Sequence, residues 1–443
     1  MQDNSLQKKL TSFIRDSAMV KVITIGILIL LLMIPTLMIQ DLMRERLNRR
    51  NEAVTEISGK WGLAQTICGP IISVPYKKFV KDKDGKSSYN IQYMHFLPKD
   101  LKISGNIDPK KKHRGIYEAV LYNTKLNVKG SFEFPDFHDL NVDLGNVIWK
   151  NAILCIGISD MKGIKKDINV KLPNRSVSME PGIDSNDILS NGVSSKIDFN
   201  DSIKTLTFEF SLNLNGSQQI KFVPIGEKTN VTLTSNWPSP SFNGSFLPKN
   251  KVSPKGFEAQ WNVLHLNRNY PQYWSGSKHY IHHSAFGVKL YIVADIYQQS
   301  MRTVKYAFMF IIFTFAAFFF SEIMVRKRVH PIQYLLVGFA ISIFYTLLIA
   351  ISEHFGFDLA YLISSIAIVL LITSYSKAIL NNTKFSVAVF FVLVLLYSYL
   401  YMVLQLEDFA LLIGSIGLFV VLSSIMFITR KIDWYSLKFE DKN

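Results

Sequence analysis

The sequence predicts a membrane protein of mixed α and β character. It reads as one N-terminal transmembrane anchor helix, a large antiparallel β-rich outer domain of one or two β-sandwich-like modules, and a C-terminal five-helix transmembrane bundle. Three observations carry this. Apolar runs that match the ~30 Å hydrocarbon core of a bilayer, which takes about 20 helical residues, occur once near the start and then five times in the last third. The long stretch between them alternates apolar and polar side chains with a period of two. Of the short loops in the last third, every second one carries Lys or Arg and those between carry none.

The first run, 22–39, reads as an uncleaved anchor. Gln40-Asp41-Leu42-Met43-Arg44 offers no small-x-small cleavage site, and the run is longer than a usual signal core. Pro35 lies inside it, and a membrane helix tolerates the resulting kink. Residues 40–60 read as a helical stalk, because Glu45 and Arg49, and Glu56 and Lys60, stand four apart with the acid first. The other spans are placed at 306–325, 331–351, 357–375, 385–404 and 409–428. The outer domain then covers 40–303, the bundle 304–429, and the cytoplasmic ends 1–21 and 430–443.

Within the outer domain, Leu206, Phe208, Phe210, Leu212 and Leu214 alternate with polar residues, as do Leu126, Val128, Phe132 and Phe134. Val288, Leu290, Ile292, Ala294 and Ile296 predict a further strand just before the second span. One-sided alternation is the signature of antiparallel sheet, since parallel strands buried on both faces read as continuous apolar runs. Lys83-Asp84-Gly85-Lys86 reads as a hairpin turn. A weak internal echo pairs Phe96-Leu97-Pro98-Lys99 and Gly115-Ile116-Tyr117-Glu118-Ala119 with Phe246-Leu247-Pro248-Lys249 and Gly256-Phe257-Glu258-Ala259, which favours two modules. Cys68 and Cys155 both fall in the exported domain; a disulfide is permitted there, while the apolar run around Cys155 suits a buried thiol.

The formal net charge is +15, and residues 40–303 hold 35 Lys and Arg against 24 Asp and Glu, so +11 of it lies on the outer domain. Arg326-Lys327-Arg328 follows the second span, 352–356 has no Lys or Arg, Lys377 and Lys384 flank the next loop, and 405–408 again has none. Arg430, Lys431, Lys438 and Lys442 close the chain. Positive residues resist translocation, so both termini are expected in the cytoplasm and 40–303 outside it, which excludes a nucleic-acid partner. Arg44, Arg46, Arg49 and Arg50 strain this orientation; Lys8, Lys9, Arg15 and Lys21 oppose them from the other end. The four arginines read either as a solvated helix face or as a collar on anionic lipid headgroups.

The motifs of hydrolytic and nucleotide chemistry are absent: there is no Gly-x-Ser-x-Gly, His-Glu-x-x-His, Cys-x-x-Cys or phosphate loop. His279, His282 and His283 cluster near Trp274 and Tyr280, but no acidic neighbour completes a metal site, and they read as a surface cluster. No catalytic, cofactor or metal residue is therefore expected. In the bundle, Glu322 is the one acid inside a span, with Arg326 four residues on as its expected interfacial partner. Glu353-His354, Asp358 and Glu407-Asp408 fall at span ends. Phe308, Phe310, Phe313, Phe315 and Phe318 to Phe320 read as packing or lipid-facing residues, and Trp434 and Tyr435 as an interfacial anchor. Trp237-Pro238-Ser239-Pro240 fixes a rigid extended turn, either a structural corner or a docking loop.

Several phrases together carry a family resemblance. They are Gly69-Pro70-Ile71-Ile72-Ser73-Val74-Pro75, His95-Phe96-Leu97-Pro98, Glu180-Pro181-Gly182, and Leu233-Thr234-Ser235-Asn236-Trp237-Pro238-Ser239-Pro240-Ser241-Phe242 running on to Phe246-Leu247-Pro248. In the bundle they are His330-Pro331-Ile332-Gln333-Tyr334-Leu335-Leu336-Val337-Gly338, Ser352-Glu353-His354-Phe355-Gly356-Phe357, and Thr429-Arg430-Lys431-Ile432-Asp433-Trp434-Tyr435. The sequence resembles the CreD family of bacterial inner-membrane proteins. That resemblance implies a periplasmic outer domain, an envelope-related regulon tied to a two-component system, altered colicin tolerance and β-lactam response, and no assigned reaction. The expected function is a contribution to cell-envelope integrity through periplasmic binding or scaffolding, with membrane lipids and an envelope protein as partners. The alternative is a transporter or lipid-handling protein using the bundle acids, and a periplasmic hydrolase ranks third.

Overall fold

The computed structural model describes residues 18–81, 87–135, 142–185, 187–290, 296–325, 328–406 and 409–430. The chain divides into two compact units, Met1–Arg49 with Ala294–Asn443, and Arg50–Val293.

Helix α1 (Ala18–Trp61) runs unbroken through Pro35 and contributes to both units, so the anchor and the stalk are one element. It is followed in the first unit by α2 (Ile296–Lys305), α3 (Ala307–Val325), α4 (Pro331–Phe355), α5 (Phe357–Leu380), α6 (Thr383–Gln405) and α7 (Ala410–Thr429). Five of these, α1 and α3 to α6, are long and apolar enough to cross a membrane, and the apolar stretch in α7, Leu412–Phe427, is shorter.

Local chemistry sets the helix ends. His330 caps α4 by accepting from the Ile332 N–H while the Gln333 side chain accepts from the His330 N–H, and Pro331 takes the first helical position, where no N–H is needed. Gly356, at φ 80°, breaks the chain between α4 and α5 in a conformation that side-chain-bearing residues avoid. Asn381 ends α5 in the left-handed region, and the Asn382 side chain caps α6 through the Lys384 N–H.

Only 11% of the apolar window of α1 is buried. Between residues 22 and 43 of α1 the buried residues form a stripe, Leu32, Thr36, Ile39 and Met43, at spacings of four, three and four. A Cβ at Gly338 of α4 would strike the Leu32 side chain, so glycine lets the two helices approach, as small residues do in membrane interfaces.

The second unit holds two sheets around one core. In the nine-stranded sheet, Gln65–Lys81 lies between Gln219–Phe222 and Ile153–Ile158 and forms a hairpin with Ser87–Phe96. In the eight-stranded sheet, Lys249–Ser253, Gly256–Leu264, Lys228–Ser235, Asp100–Arg114, Tyr117–Glu133 and Thr205–Ser217 follow in spatial order. Phe242 and Phe286 of the first sheet meet Trp261 of the second with ring centroids 5.8 and 5.5 Å apart, closing the layers on each other. One continuous core replaces the second module that the internal echo favoured. Both copies of the echo lead into hairpins of the same sheet, turning at Gly115 and Gly256.

The alternating residues of Thr205–Ser217 and Tyr117–Glu133 face the core as expected. Among the described residues pairing is antiparallel except at two places, where Gln65 to Ile67 run parallel to Ile220 to Phe222, and Lys228–Ser235 runs parallel to Asp100–Arg114. Of the expected strand 288–296, the described part is 288–290, which belongs to Phe286–Leu290. Ile296 instead opens α2, which buries Tyr297, Ser300, Thr303 and Val304; Ile292 and Ala294 lie outside the described residues. A short mixed sequence fits either period, and burial at a spacing of three to four decided it. The turn at Lys83 to Lys86 also lies outside, although Lys81 and Ser87 pair across it.

The Leu32 and Gly338 contact predicts a cross-link. Leu32→Cys combined with Gly338→Cys should form a disulfide on mild oxidation, while Leu30→Cys with Gly338→Cys should not, since Leu30 is 65% exposed. Gel mobility of the full chain in membranes, before and after reduction, checks this.

Candidate functional site

Two places gather polar chemistry, one in each unit. In the first unit, α1 is tied to the bundle by charge. Lys21 Nζ lies 2.7 Å from Glu322 Oε1 and also donates to the Val329 carbonyl. Glu322 accepts further from the Val329 N–H at 2.9 Å and, through Oε2, from the Tyr334 hydroxyl at 2.9 Å. Its side chain is 1% exposed, so the acid is buried within the protein, and its described cationic partner is Lys21; the expected partner Arg326 lies outside the described residues. A carboxylate removed from water needs such compensation, and among the described residues Lys21, Val329 and Tyr334 supply it. Farther along α1, Arg46 lies 3.8 Å from Glu353 Oε1, which also accepts from the Tyr297 hydroxyl at 3.1 Å. Lys21 and Arg46 are separated by about 38 Å of helix, more than the ~30 Å hydrocarbon core, so the two pairs bracket the apolar stretch.

The remaining stalk arginines have local partners. Arg44 pairs with Asp41 at 3.2 Å, Arg49 with Glu45 at 2.6 Å, and Arg50 donates to Asn51 at 3.2 Å. Lys60 pairs with Glu56 at 2.9 Å, so both expected i, i+4 pairs form. Asp358 accepts from Tyr401 and Gln405, both at 3.0 Å, at one end of a groove of about 640 Å³ between α5 and α6. Glu407, Asp408, Trp434 and Tyr435 lie outside the described residues. Phe310, Phe315 and Phe318 are buried, whereas Phe308 is exposed.

In the second unit, the hairpin sets Ser73 directly opposite His95, and Ser73 Oγ lies 2.8 Å from Nδ1. His95 Nε2 lies 3.2 Å from Asp187 Oδ2. Burial pushes the imidazole below its usual pKa, against the opposing pull of Asp187, so the ring is neutral; the Ser73 hydroxyl then donates to Nδ1 and Nε2–H donates to Asp187. Tyr93 stacks on His95 at 6.4 Å and Trp274 tilts against it at 5.8 Å. The order Ser-His-Asp is that of a hydrolytic triad, but the exposure is inverted. Ser73 is 3% exposed and His95 1%, while the Asp187 side chain is 31% exposed. A nucleophile must face its substrate, and here only the acid does. Asp187 lines a polar cavity of about 560 Å³ together with Asp184, Lys78, Lys278, Gln92 and Tyr93. The motif search missed this constellation because its members come from separate segments.

The other candidates resolve as structure. Cys68 and Cys155 are buried free thiols; burial raises both, Cys155 to about 12. His279 packs on Trp274, and His282 and His283 on Tyr280; among the described residues no group of metal-binding side chains forms. Trp237 is buried where Lys228–Ser235 of one sheet hands over to Pro240–Gly244 of the other, so its motif is a corner.

Glu322→Gln should leave the Lys21 ammonium without its counter-charge and lower stability by about 3–5 kcal/mol, the range for a broken buried pair. Lys21→Met with Glu322→Gln should cost less than the sum of the single changes, as a double-mutant cycle of thermal unfolding in micelles will show. For His95 the folded pKa is below the free value of 6.5, so the unfolded chain binds the extra proton. Stability is therefore unaffected above that pH and falls as the pH drops below it. His95→Gln should flatten this part of the pH profile, read by unfolding between pH 7.5 and 5.

The family model for inner membrane protein CreD matches residues 17–435. Inner membrane protein CreD of Escherichia coli (strain K12) is 33% identical over 415 residues, covering 92% of this chain and 92% of that protein. The matched span includes both charge pairs, the Ser73 and His95 strands and the apolar helices of a multi-pass inner-membrane protein, and the chain belongs to the CreD family.

Proposed function

We propose that this protein helps maintain the cell envelope by binding a ligand or partner through its sheet-rich unit, without catalysis, and that this unit lies in the periplasm with both termini in the cytoplasm. The observation that carries the binding reading is the polar cavity beside the His95 and Asp187 pair, a concave site whose acid is held in place from behind. The inverted exposure of Ser73 and Asp187 supports a non-catalytic role. The loop charges support the orientation. Anionic headgroups remain the partner proposed for Arg44, Arg46, Arg49 and Arg50, with the local ion pairs weakening that contribution. A second reading, lipid handling by the bundle, is favoured by the groove beside Asp358, whereas Glu322 and Glu353 are engaged by Lys21 and Arg46.

Blocking the cavity tests the proposal. Ser277 lies on the cavity in an exposed loop, so Ser277→Trp should fill it without disturbing the core. In cells lacking the native protein, this variant at normal abundance should fail to restore growth under β-lactam or detergent stress. Full restoration would overturn the binding role. Asp358→Asn losing function while Ser277→Trp retains it would favour the bundle instead.

A further inference from the structure

We infer that the cavity of the second unit is a saccharide site; this rests on the binding role proposed above and names its ligand class. The cavity carries two cations, Lys78 and Lys278, and two carboxylates, Asp184 and Asp187. Their charges cancel, so no net field selects an anion or a cation. The rest of the polar lining comes from the amides of Asn90 and Gln92 and the hydroxyls of Ser185, Ser275 and Ser277. Amides and hydroxyls donate and accept at neighbouring points, which complements a ligand whose own surface is dense in hydroxyl donors and acceptors.

Tyr93 and Ile91 provide the apolar component. Tyr93 is half-buried among the lining residues, and stacking on His95 holds its ring plane. A sugar ring presents polar groups at its rim and C–H bonds on its face, so an aromatic face beside hydrogen-bonding side chains matches both aspects. Burial, followed by the nearby Asp184 and Asp187, raises the Tyr93 phenol, which therefore stays protonated and able to donate.

The wall is ordered from behind. Gln92 Oε1 accepts from the Tyr76 hydroxyl at 2.8 Å, which orients its amide, and Asp187 is held by His95 at 3.2 Å. Groups fixed before the ligand arrives lose less freedom on binding. The volume of about 560 Å³ lies in the usual range of small-molecule sites.

The test uses the full chain in lipid nanodiscs, titrated calorimetrically with an N-acetylglucosamine tetramer and with cellotetraose. Inorganic phosphate and spermidine serve as anionic and cationic probes. Saturable binding of at least one sugar is expected, weakened at least tenfold by Tyr93→Ala and abolished by Ser277→Trp. Should Tyr93→Ala fail to fold, Gln92→Ala, expected to weaken binding several-fold, takes its place. No saturable sugar binding, an undiminished affinity in these variants, or binding of phosphate or spermidine alone would overturn the saccharide assignment. If sugars fail to bind while Ser277→Trp still abolishes envelope protection in cells, the ligand class falls and the binding role stands. If sugars bind but those cells are fully protected, the binding role in the envelope falls.

Discussion

A buried glutamate and the lysine that neutralises it fix the organisation of the helical unit. Neither side chain is tolerable alone where water is scarce, and the pair is satisfied only when α1 lies against α3 and α4. Among the described residues the carboxylate has three donors from three segments: the Lys21 ammonium, the Val329 amide and the Tyr334 hydroxyl. Such a group specifies register, because sliding α1 by one turn strips it of its cation. The Leu32 and Gly338 approach and the Arg46 and Glu353 pair then act on a helix already placed in phase.

The sheet-rich unit solves a related problem with neutral groups. Ser73 and His95 are buried on facing strands, and a buried polar pair is acceptable only when each atom finds a partner. The Asp187 carboxylate completes the chain and reaches the surface, where it joins a cavity whose charges balance. The same imidazole therefore serves the core through one nitrogen and the cavity wall through the other.

Local regularities were legible in the amino-acid order, and distant pairings were not. The alternation of Phe208, Phe210 and Leu212, the stalk pairs Glu45 with Arg49 and Glu56 with Lys60, and the apolar lengths all repeat within a few residues. Lys21 and Glu322 stand 301 positions apart, and nothing in either neighbourhood names the other. Ser73 and His95 show how narrowly a nearer pair escapes. A two-residue turn at Asp84-Gly85 would set Ser73 opposite Phe96, whereas the observed register, with Lys81 opposite Ser87, sets it opposite His95. A single-residue slip moves every side chain to the other face, so the pair was invisible without the true register. Helix α2 was hidden for another reason: ten residues of mixed polarity satisfy more than one period until their burial is known.

The two parallel pairings have a consequence for biogenesis. Gln65 to Ile67 wait for Ile220 to Phe222, and Asp100–Arg114 waits for Lys228–Ser235, so each sheet is stitched across more than 100 residues of intervening chain. Gln219–Phe222 in turn needs Phe286–Leu290 on its other edge. Loop closure of that length is slow, and no early segment forms a complete edge by itself. The eight-stranded layer is complete only once Leu264 has emerged and the nine-stranded one only once Leu290 has, which leaves the early strands dependent on protection from aggregation until then.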